Sequence, residues 1–358
     1  MRAMRVIFLK MCNFFAVAPW YNSQTEVFIR PIVYKYYSFG MLLFLFLTLI
    51  ICEIFVSFYP LTMFFTIVLG LDIFCNFFLV AISVYYSTTK IKDWKCLSVT
   101  RRYLNISLHF YGDSPSNWVF WMFYILLSGF VLYHCTQVYL DINNFPILLV
   151  MTPRLMYNHE YMMSVVVSSS IACSLKSTND MLMNMLTTEE LFSNERKFID
   201  YLKEMVILYQ AIRKKVNSFN SVFGNFLLVA MGHQLLFTLT LVKYLIQVLY
   251  TEFDVSGLVF LLQILVIQNF GFLYAIICCD ETMREGRRLL TTCFLRKGKT
   301  ISGRCREELV LFTEYLKDYP VVLSAGNFFE LTRNNLLNHL GVVATYLIIF
   351  TQLSNFHV

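Results

Sequence analysis

Apolar residues in this chain form long runs separated by polar segments, and this pattern predicts helices that cross a membrane. A helix needs about 20 apolar residues to span the hydrocarbon layer. Six runs fit this length, at Ser38–Tyr59, Phe64–Tyr86, Trp118–Leu140, Ser221–Tyr250, Val255–Cys279 and Leu336–Leu353. A seventh, Leu148–Leu175, is diluted by Arg154, His159 and Glu160. We count it because the charges of the flanking loops require an odd number of crossings there, which gives an all-α membrane protein with seven transmembrane helices.

The basic residues predict the orientation of these spans, because Lys and Arg collect on the cytosolic side of a membrane. With a cytosolic N-terminus and an extracellular C-terminus, 27 of the 29 basic residues fall on the cytosolic side. The other two, Arg154 and Lys243, lie on or near the outer half. This orientation is opposite to that of a G-protein-coupled receptor, so the charge distribution disfavours that class.

Composition supports a multi-pass membrane protein whose main partner is the lipid bilayer. The 358 residues are 58% hydrophobic and 15% charged, whereas soluble domains have about 45–50% apolar and about 25% charged residues. The ten cysteines include no spacing typical of a zinc site or a disulfide framework. We therefore expect no metal and no cofactor. The interspersed acidic residues also argue against a nucleic-acid partner.

The pattern divides one unit, 1–358, into membrane and cytosolic parts. We expect a retained cytosolic N-terminal segment, with an amphipathic helix at the membrane surface. Apolar residues at helical spacing between the fourth and fifth spans predict that these helices continue into an intracellular layer. The predicted segments are 1–37 (cytosolic), 38–175 (four spans), 176–220 (cytosolic helical extension), 221–279 (spans five and six), 280–335 (cytosolic) and 336–353 (last helix).

The last helix carries a distinctive polar phrase, in which Thr345-Tyr346 is followed after five residues by Gln352-Leu353. Upstream, Ser324–Leu337 combines small residues, paired Phe and a polar cap. Together these features resemble the C-terminal signature of insect gustatory receptors, which are seven-span chemoreceptors related to insect odorant receptors. The chain departs from the family pattern at Leu353, where the family usually has Phe.

The resemblance implies a tastant-gated, non-selective cation channel in the plasma membrane of sensory neurons. It also implies a homotetramer, or a heteromer with related receptors, in which the cytosolic layers of the subunits meet. The last helix would then line the pore, with Thr345 and Tyr346 supporting it. Sugar-sensing relatives carry Glu directly after Thr-Tyr, whereas Leu347 stands here, which favours a bitter or other aversive compound over a sugar.

Spacing places Thr345, Ile349 and Gln352 on one face of the last helix, with Leu353 at its margin. The residues alone fit a helix buried inside a monomer, with Gln352 bonded to a neighbouring helix. With the resemblance, four copies would instead form a polar ring at Gln352. Leu353 would add an apolar constriction that can gate by dewetting.

Polar residues in the outer half of the bundle are the candidate ligand contacts, because ionisable groups inside a membrane are costly and often functional. Aromatic walls with a few placed polar groups are typical of small-molecule pockets. Asp72 could equally pair with His or Tyr to satisfy its own charge. Polar residues of the fifth and sixth spans, each taken alone, suit an interhelical hydrogen bond better than a ligand contact; they are His233, Gln234, Tyr244, Gln247, Gln263, Gln268 and Asn269. The candidate ligand residues are Asp72, Tyr133, His134, Gln137, His159, Glu160, Tyr244, Gln247 and Gln268.

Two other classes of protein were weighed against a ligand-gated channel. A secondary transporter would show an internal repeat with Gly- or Pro-broken spans in matching positions, and we find none in the sequence. An enzyme would need a nucleophile, a base and an orienting group at a compatible spacing, and no such set is evident. The alternatives that remain are a sugar-sensing receptor of the same family and a G-protein-coupled seven-span receptor.

Overall fold

The computed structural model describes residues 10, 12–22, 27–29, 31–58, 63–99, 145–187, 195–251, 255–296 and 303–354. The predicted third span, Trp118–Leu140, lies outside them. The described residues form the helices α1 (Ile32–Phe58), α2 (Met63–Thr89), α3 (Ile91–Val99), α4 (Phe145–Thr187), α5 (Glu195–Thr251), α6 (Val255–Arg296), α7 (Gly303–Asp318) and α8 (Arg333–Ser354). Two short antiparallel hairpins accompany the helices, β1 (Trp20–Asn22) with β2 (Val27–Ile29), and β3 (Ser324–Ala325) with β4 (Phe329–Glu330).

Three helices are too long to end at the faces of a bilayer. α4, α5 and α6 contain 43, 57 and 42 residues, so they are about 65, 86 and 63 Å long at 1.5 Å per residue. The hydrocarbon layer is only about 30 Å thick. Their surplus length, together with α7, forms a helical layer beside the membrane part. The number of spans and the side on which this layer lies stay predictions.

Length and composition single out two helices of the described residues as able to cross a membrane. These are Ile32–Ile51, within α1, and Glu195–Val242, within α5. Ile73–Thr89, within α2, is a shorter apolar helix. All three overlap or contain predicted spans.

Aromatic side chains on α5 organise the core. Phe223 meets Trp94 of α3 with ring centroids 5.5 Å apart, and Phe226 meets Tyr161 of α4 at 5.3 Å. Tyr161 also contacts Phe272 of α6. All five rings are buried. Edge-to-face contacts of this kind add to the stabilisation from buried area, so α5 is the element around which α3, α4 and α6 assemble.

Hydrogen bonds between small polar side chains fix the helices relative to one another. The Thr282 hydroxyl of α6 donates to the carbonyl of Ser168 on α4, 2.9 Å away. The Gln234 amide of α5 donates to Asn269 Oδ1 of α6 over 2.7 Å. This bond confirms the interhelical role predicted for Gln234 and Asn269.

The described part of the N-terminal segment is helical at residues 10 and 12–14 and then turns. One helical turn at 12–14 is followed by Ala16 in the left-handed region, with φ 58°, and then by Pro19, which has no N–H to donate. The chain continues into the β1–β2 hairpin instead of a helix. The Tyr34 hydroxyl donates to the Ala18 carbonyl over 2.5 Å, which ties this segment to the start of α1.

Lys215 is buried in the part of α5 that we place outside the membrane, and its titration provides a test of the packing. Burial lowers the pKa of its ammonium group to about 8 from an ordinary 10.5, while the nearby Cys96 thiol acts in the opposite direction. Below pH 8 the lysine is charged in the folded and unfolded states, and the cost of burying that charge is present in full. Between pH 8 and 10.5 the unfolded chain binds more protons, so stability should rise with pH.

Lys215→Met should therefore raise the melting temperature of the purified protein at pH 7, by about 2–4 °C per kcal/mol gained. The gain should shrink as pH rises from 8 to 10.5. Melting in detergent across this pH range measures the effect, with Lys214→Met, at an exposed neighbour, as the control. A lower melting temperature for Lys215→Met at pH 7 would contradict the prediction.

Candidate functional site

α8 packs through one narrow face and exposes the rest of its circumference. Val343 is 6% exposed, and Leu336 and His339 on the same face are partly buried. The His339 ring lies 5.6 Å from the ring of Phe272 on α6. On the other sides, Tyr346 and Ile349 remain 46% and 42% exposed. A single subunit therefore leaves most of α8 uncovered.

A polar stripe runs along α8 on the side opposite its packed face. At about 100° per residue, Gly341, Thr345 and Gln352 lie about half a turn from Val343. All three are exposed. The Thr345 hydroxyl donates to the Gly341 carbonyl over 2.8 Å. Among the described residues, the Gln352 carboxamide forms no hydrogen bond, so a polar group faces outward at the level where the predicted pore is narrowest.

Two residues extend this stripe toward the start of α8, and the sequence analysis missed both. Asn334 and Asn338 share the face of Thr345 and Gln352, and both are exposed. Asn334 and Asn338 are four residues apart, and Asn338 is seven residues before Thr345. The sequence alone therefore indicates that they share a helical face. Asn334 was missed because it precedes the apolar run, which begins at Leu336, and Asn338 was missed because it lies inside the run but before the phrase that begins at Thr345.

The segment before α8 is shaped by a tight turn between β3 and β4. The Phe328 N–H donates to the Ala325 carbonyl over 3.0 Å, and the two central residues have positive φ, 57° at Gly326 and 61° at Asn327. Because Ala325 pairs with Phe329, the loop contains three residues, and the positive φ at its first two positions favours Gly and Asn. The small residues of the signature Ser324–Leu337 thus allow the backbone to form this turn.

This hairpin is docked onto α5 by one carboxamide. Asn220 donates from Nδ2 to the Val322 carbonyl over 2.9 Å, and its Oδ1 accepts from the Ser324 N–H over 3.0 Å. One turn along α5, a Cβ on Gly224 would lie 3.2 Å from Ser324 O and Gly326 N. The absence of a side chain at Gly224 therefore lets the helix and the turn approach closely.

Aromatic contacts complete the attachment at the end of α7. The Tyr209 hydroxyl donates to the Tyr319 carbonyl over 2.7 Å, and burial raises the pKa of Tyr209 to about 12, so the hydroxyl keeps its proton. The Arg213 guanidinium stacks over the Tyr319 ring, 3.8 Å from its centroid. A cleft of about 410 Å³ adjoins these contacts. Its lining carries charges of both signs, from Arg213 and from Asp318 and Glu330.

An ion-pair cluster joins the start of α8 to α6. Asp280, which is 4% exposed, lies 2.8 Å from Arg284 Nε and 3.2 Å from Arg333 Nε. Arg333 also reaches Glu281, with Nη2 3.3 Å from Oε1. Arg333 is the first residue of α8. The cluster therefore fixes where α8 begins relative to α6.

Most of the predicted ligand residues lie where no side chain is described. Tyr133, His134 and Gln137 fall outside the described residues. Asp72 belongs to α2, Tyr244 and Gln247 to α5, and Gln268 to α6, but the structure describes only their backbone. Their role as ligand contacts stays a prediction.

His159 and Glu160 are buried against the N-terminal segment, at 2% and 1% exposure. The His159 ring lies 4.8 Å from the ring of Phe15, and Glu160 is close enough to Cys12 to interact electrostatically with its thiol. Among the described residues, Glu160 Oε2 has no hydrogen-bond partner. Both residues therefore lie near the first turns of α1. Any contact that they make with a ligand would be made at that end of the bundle.

The adjacent cysteines on α6 serve as packing residues. Cys278 and Cys279 are 3% and 0% exposed and belong to the hydrophobic core. Among the residues that the structure describes, no group of three or more His, Cys, Asp or Glu side chains could hold a metal ion. The candidate site in this part of the chain is thus built from α8 and the elements that position it.

Comparison with known proteins now decides the family. A family model described as 7tm chemosensory receptor matches residues 7–354. The chain belongs to the 7tm chemosensory receptor family. This confirms the resemblance to insect chemoreceptors drawn from Thr345-Tyr346 and Gln352-Leu353. A comparison with curated protein sequences finds no significant match.

Solved structures show that this chemosensory receptor shares its fold with an insect olfactory receptor. The structure of olfactory receptor OR5 from Machilis hrabei matches with a TM-score of 0.70 at 12% identity, covering 98% of this chain and 99% of that one. The same receptor in complex with eugenol matches with a TM-score of 0.60 at 14% identity, with the same coverage. At these identities the likeness shows the fold. Family and structural neighbours are receptors and not enzymes.

The Asp280 cluster predicts a non-additive loss of stability. Arg284→Gln or Arg333→Gln alone should cost about 1 kcal/mol or less, because each guanidinium is about half exposed and Asp280 keeps the other partner. The double variant should cost about 3–5 kcal/mol, since it leaves a buried carboxylate unpaired. Melting temperatures in detergent measure the losses. Adding Asp280→Asn should restore most of the stability, and additive losses without rescue would contradict the cluster.

Proposed function

We propose that this chemosensory receptor is a gustatory receptor that works as a tastant-gated, non-selective cation channel in the plasma membrane of sensory neurons. Four copies, or this chain with related receptors, surround a central axis. The C-terminal helix α8 of each subunit lines the pore. The N-terminus and the helical layer lie in the cytosol, and seven spans cross the membrane.

The polar stripe of α8 carries this proposal. Thr345 and Gln352, like Asn334 and Asn338 earlier in the same helix, are exposed on the side away from the subunit core. A carboxamide facing lipid without a partner is costly, because hydrocarbon offers no hydrogen bond. Four copies around an axis would turn this face toward water and permeant cations. The stripe would then become the wall of an aqueous path.

The gate in this proposal is an apolar constriction beside a polar ring. Gln352 supplies the ring, and Ile349 and Leu353 supply the constriction, which can shut a pore by expelling water. Thr345 and Tyr346 support the helix one to two turns earlier. Leu353 is smaller than the Phe usual in the family, so the seal is looser than in its relatives.

The ligand pocket in this proposal lies between the helices in the outer half of the bundle. The OR5 receptor whose fold matches was solved in complex with eugenol, which supports a small organic ligand for this chain. Leu347 after Tyr346 favours a bitter or other aversive compound. The proposed contacts are Asp72, Tyr133, His134, Gln137, Tyr244, Gln247 and Gln268. His159 and Glu160 are buried against the N-terminal segment, which this proposal places in the cytosol, so they do not belong to the outer-half pocket.

Coupling between pocket and pore would run through α5 and α6. Both helices pass from the outer half of the bundle to the hairpin and the Asp280 cluster that hold the start of α8. A ligand that binds the open arrangement more strongly shifts the population toward it. A ligand that binds the open state about 5.5 kcal/mol more strongly than the closed state takes a channel from 1% to 99% open.

Ligand-evoked current tests the proposal directly. Cells expressing this chain are challenged with a panel of bitter compounds and sugars, with and without blockade of G-proteins. We expect rapid cation current that survives the blockade, and Gln352→Ala should change its ion selectivity without shifting the ligand concentration for half-maximal response. Gln210→Ala, at an exposed site on α5, is the matched control. Slow current abolished by the blockade would indicate the G-protein-coupled alternative.

Asp72→Asn tests the proposed pocket. It should shift the half-maximal ligand concentration by about tenfold, because losing a hydrogen bond to a charged group costs about 1.5 kcal/mol. Ion selectivity should stay unchanged. Asp180→Asn, at an exposed position of α4, removes the same charge outside the pocket and should have no effect. An altered selectivity with unchanged ligand sensitivity would place Asp72 in the pore instead.

A further inference from the structure

The junction between α3 and α5 places a thiol opposite a buried amine. Asp93 of α3 accepts hydrogen bonds from the hydroxyls of Ser218 and Ser221 on α5, over 3.3 and 2.8 Å. Cys96 lies about one turn after Asp93, and Lys215 lies about one turn before Ser218. The Cys96 thiol and the Lys215 ammonium group interact electrostatically across the junction. These pairings place α3 and α5 antiparallel, so that Cys96 and Lys215 face each other.

The amine of Lys215 is buried without an opposite charge beside it. The residue is 5% exposed, and among the described residues it forms no ion pair. The Asp93 carboxylate, one turn away, is already held by two serine hydroxyls. Burial lowers the pKa of the amine to about 8, so a substantial share of it is neutral near pH 7.5. A neutral lysine amine is a nucleophile.

Cys96 is the described cysteine best placed for oxidation. Of the cysteines that the structure describes, Cys75, Cys96 and Cys173 are partly exposed and the others are buried. Cys75 and Cys173 lie within predicted spans, whereas Cys96 lies on α3, after the second span. Peroxide dissolved in water therefore reaches Cys96 without entering the membrane. Accessible thiols are the ones that peroxide oxidises to sulfenic acids.

We propose that Cys96 and Lys215 form a covalent crosslink when hydrogen peroxide oxidises the thiol. In the first step the Cys96 thiol loses two electrons and becomes a sulfenic acid, while peroxide is reduced to water. In the second step the Lys215 nitrogen attacks the sulfur and the S–O bond breaks. The departing hydroxide takes a proton from the nitrogen and leaves as water. The product is an S–N bond, a sulfenamide.

The position of the amine favours this product over further oxidation of the sulfur. Condensation within the folded chain needs no encounter in solution, because α3 and α5 already hold the two groups together. The bond would join α3 to α5 just outside the predicted spans. It forms without ligand or current, so a silent channel would leave this inference intact, and absence of the crosslink would leave the channel proposal intact.

The test is mass spectrometry of the full chain, purified in detergent at pH 7.5 and treated with hydrogen peroxide. Remaining thiols are capped with N-ethylmaleimide before digestion. We expect a crosslinked pair of peptides that contain Cys96 and Lys215, about 2 Da lighter than the two reduced peptides together, because two hydrogen atoms are lost. Dithiothreitol should separate the pair, since one of its thiols attacks the sulfur and the other frees Cys96.

Two variants identify the nucleophile. Lys215→Met removes the amine and should abolish the crosslink, leaving Cys96 as a sulfenic acid that a dimedone probe labels. Lys214→Met, at an exposed neighbour, should crosslink as fully as the unaltered chain. The main result comes from the unaltered chain, so it does not depend on the folding of a variant. A crosslink that persists in Lys215→Met, or a disulfide, a sulfinic acid or an unmodified thiol at Cys96 in the unaltered chain, would overturn the proposal.

Discussion

The Asn220 carboxamide is the interaction on which the position of α8 depends. It bonds the Val322 carbonyl and the Ser324 N–H, just before and at the start of β3, and the missing side chain at Gly224 lets the turn approach α5. Asn220 lies on the same continuous 57-residue helix as the rings of the aromatic core, so the hairpin is attached to the element around which the described helices pack. Arg333 then fixes the first turn of α8 against Asp280 of α6. A helix held at its start and along one narrow face can present its remaining faces to other subunits.

The fold could be predicted from sequence because membrane spans depend on simple constraints. A run of about 20 apolar residues must form a helix in lipid, and α1, α2, α4, α5, α6 and α8 all begin or end near the predicted runs. The signature around Thr345-Tyr346 correctly indicated the family. The N-terminal hairpin was not foreseen, because Ala16 and Pro19 end a helical turn through local backbone geometry that periodicity does not reveal. The predicted fourth span can be compared with α4, whereas the predicted third span lies outside the described residues.

The site was harder to predict, because it depends on residues far apart in sequence. Asn220 and Gly224 looked like ordinary residues of a long helix, and their role appears only once the hairpin is in place. Gly326-Asn327 is a known two-residue turn signal that could have indicated the hairpin. His159 and Glu160 were assigned by their depth along α4, a criterion that ignores what packs beside them. The N-terminal segment that covers them folds back from more than 140 residues away in the chain.

Single-cysteine accessibility along α8 tests the central claim that its polar stripe faces the ion path. Cysteines are placed at Thr345, Ile349 and Gln352 on the face of the stripe, and at Leu340 beside the packed face. Each channel is then treated from outside with a charged thiol reagent during ligand-evoked current. The account predicts that current changes rapidly at the three stripe positions and stays constant at Leu340. Modification at Leu340 without effect at Thr345 and Gln352 would contradict it, because the polar stripe would then face lipid or a neighbouring helix.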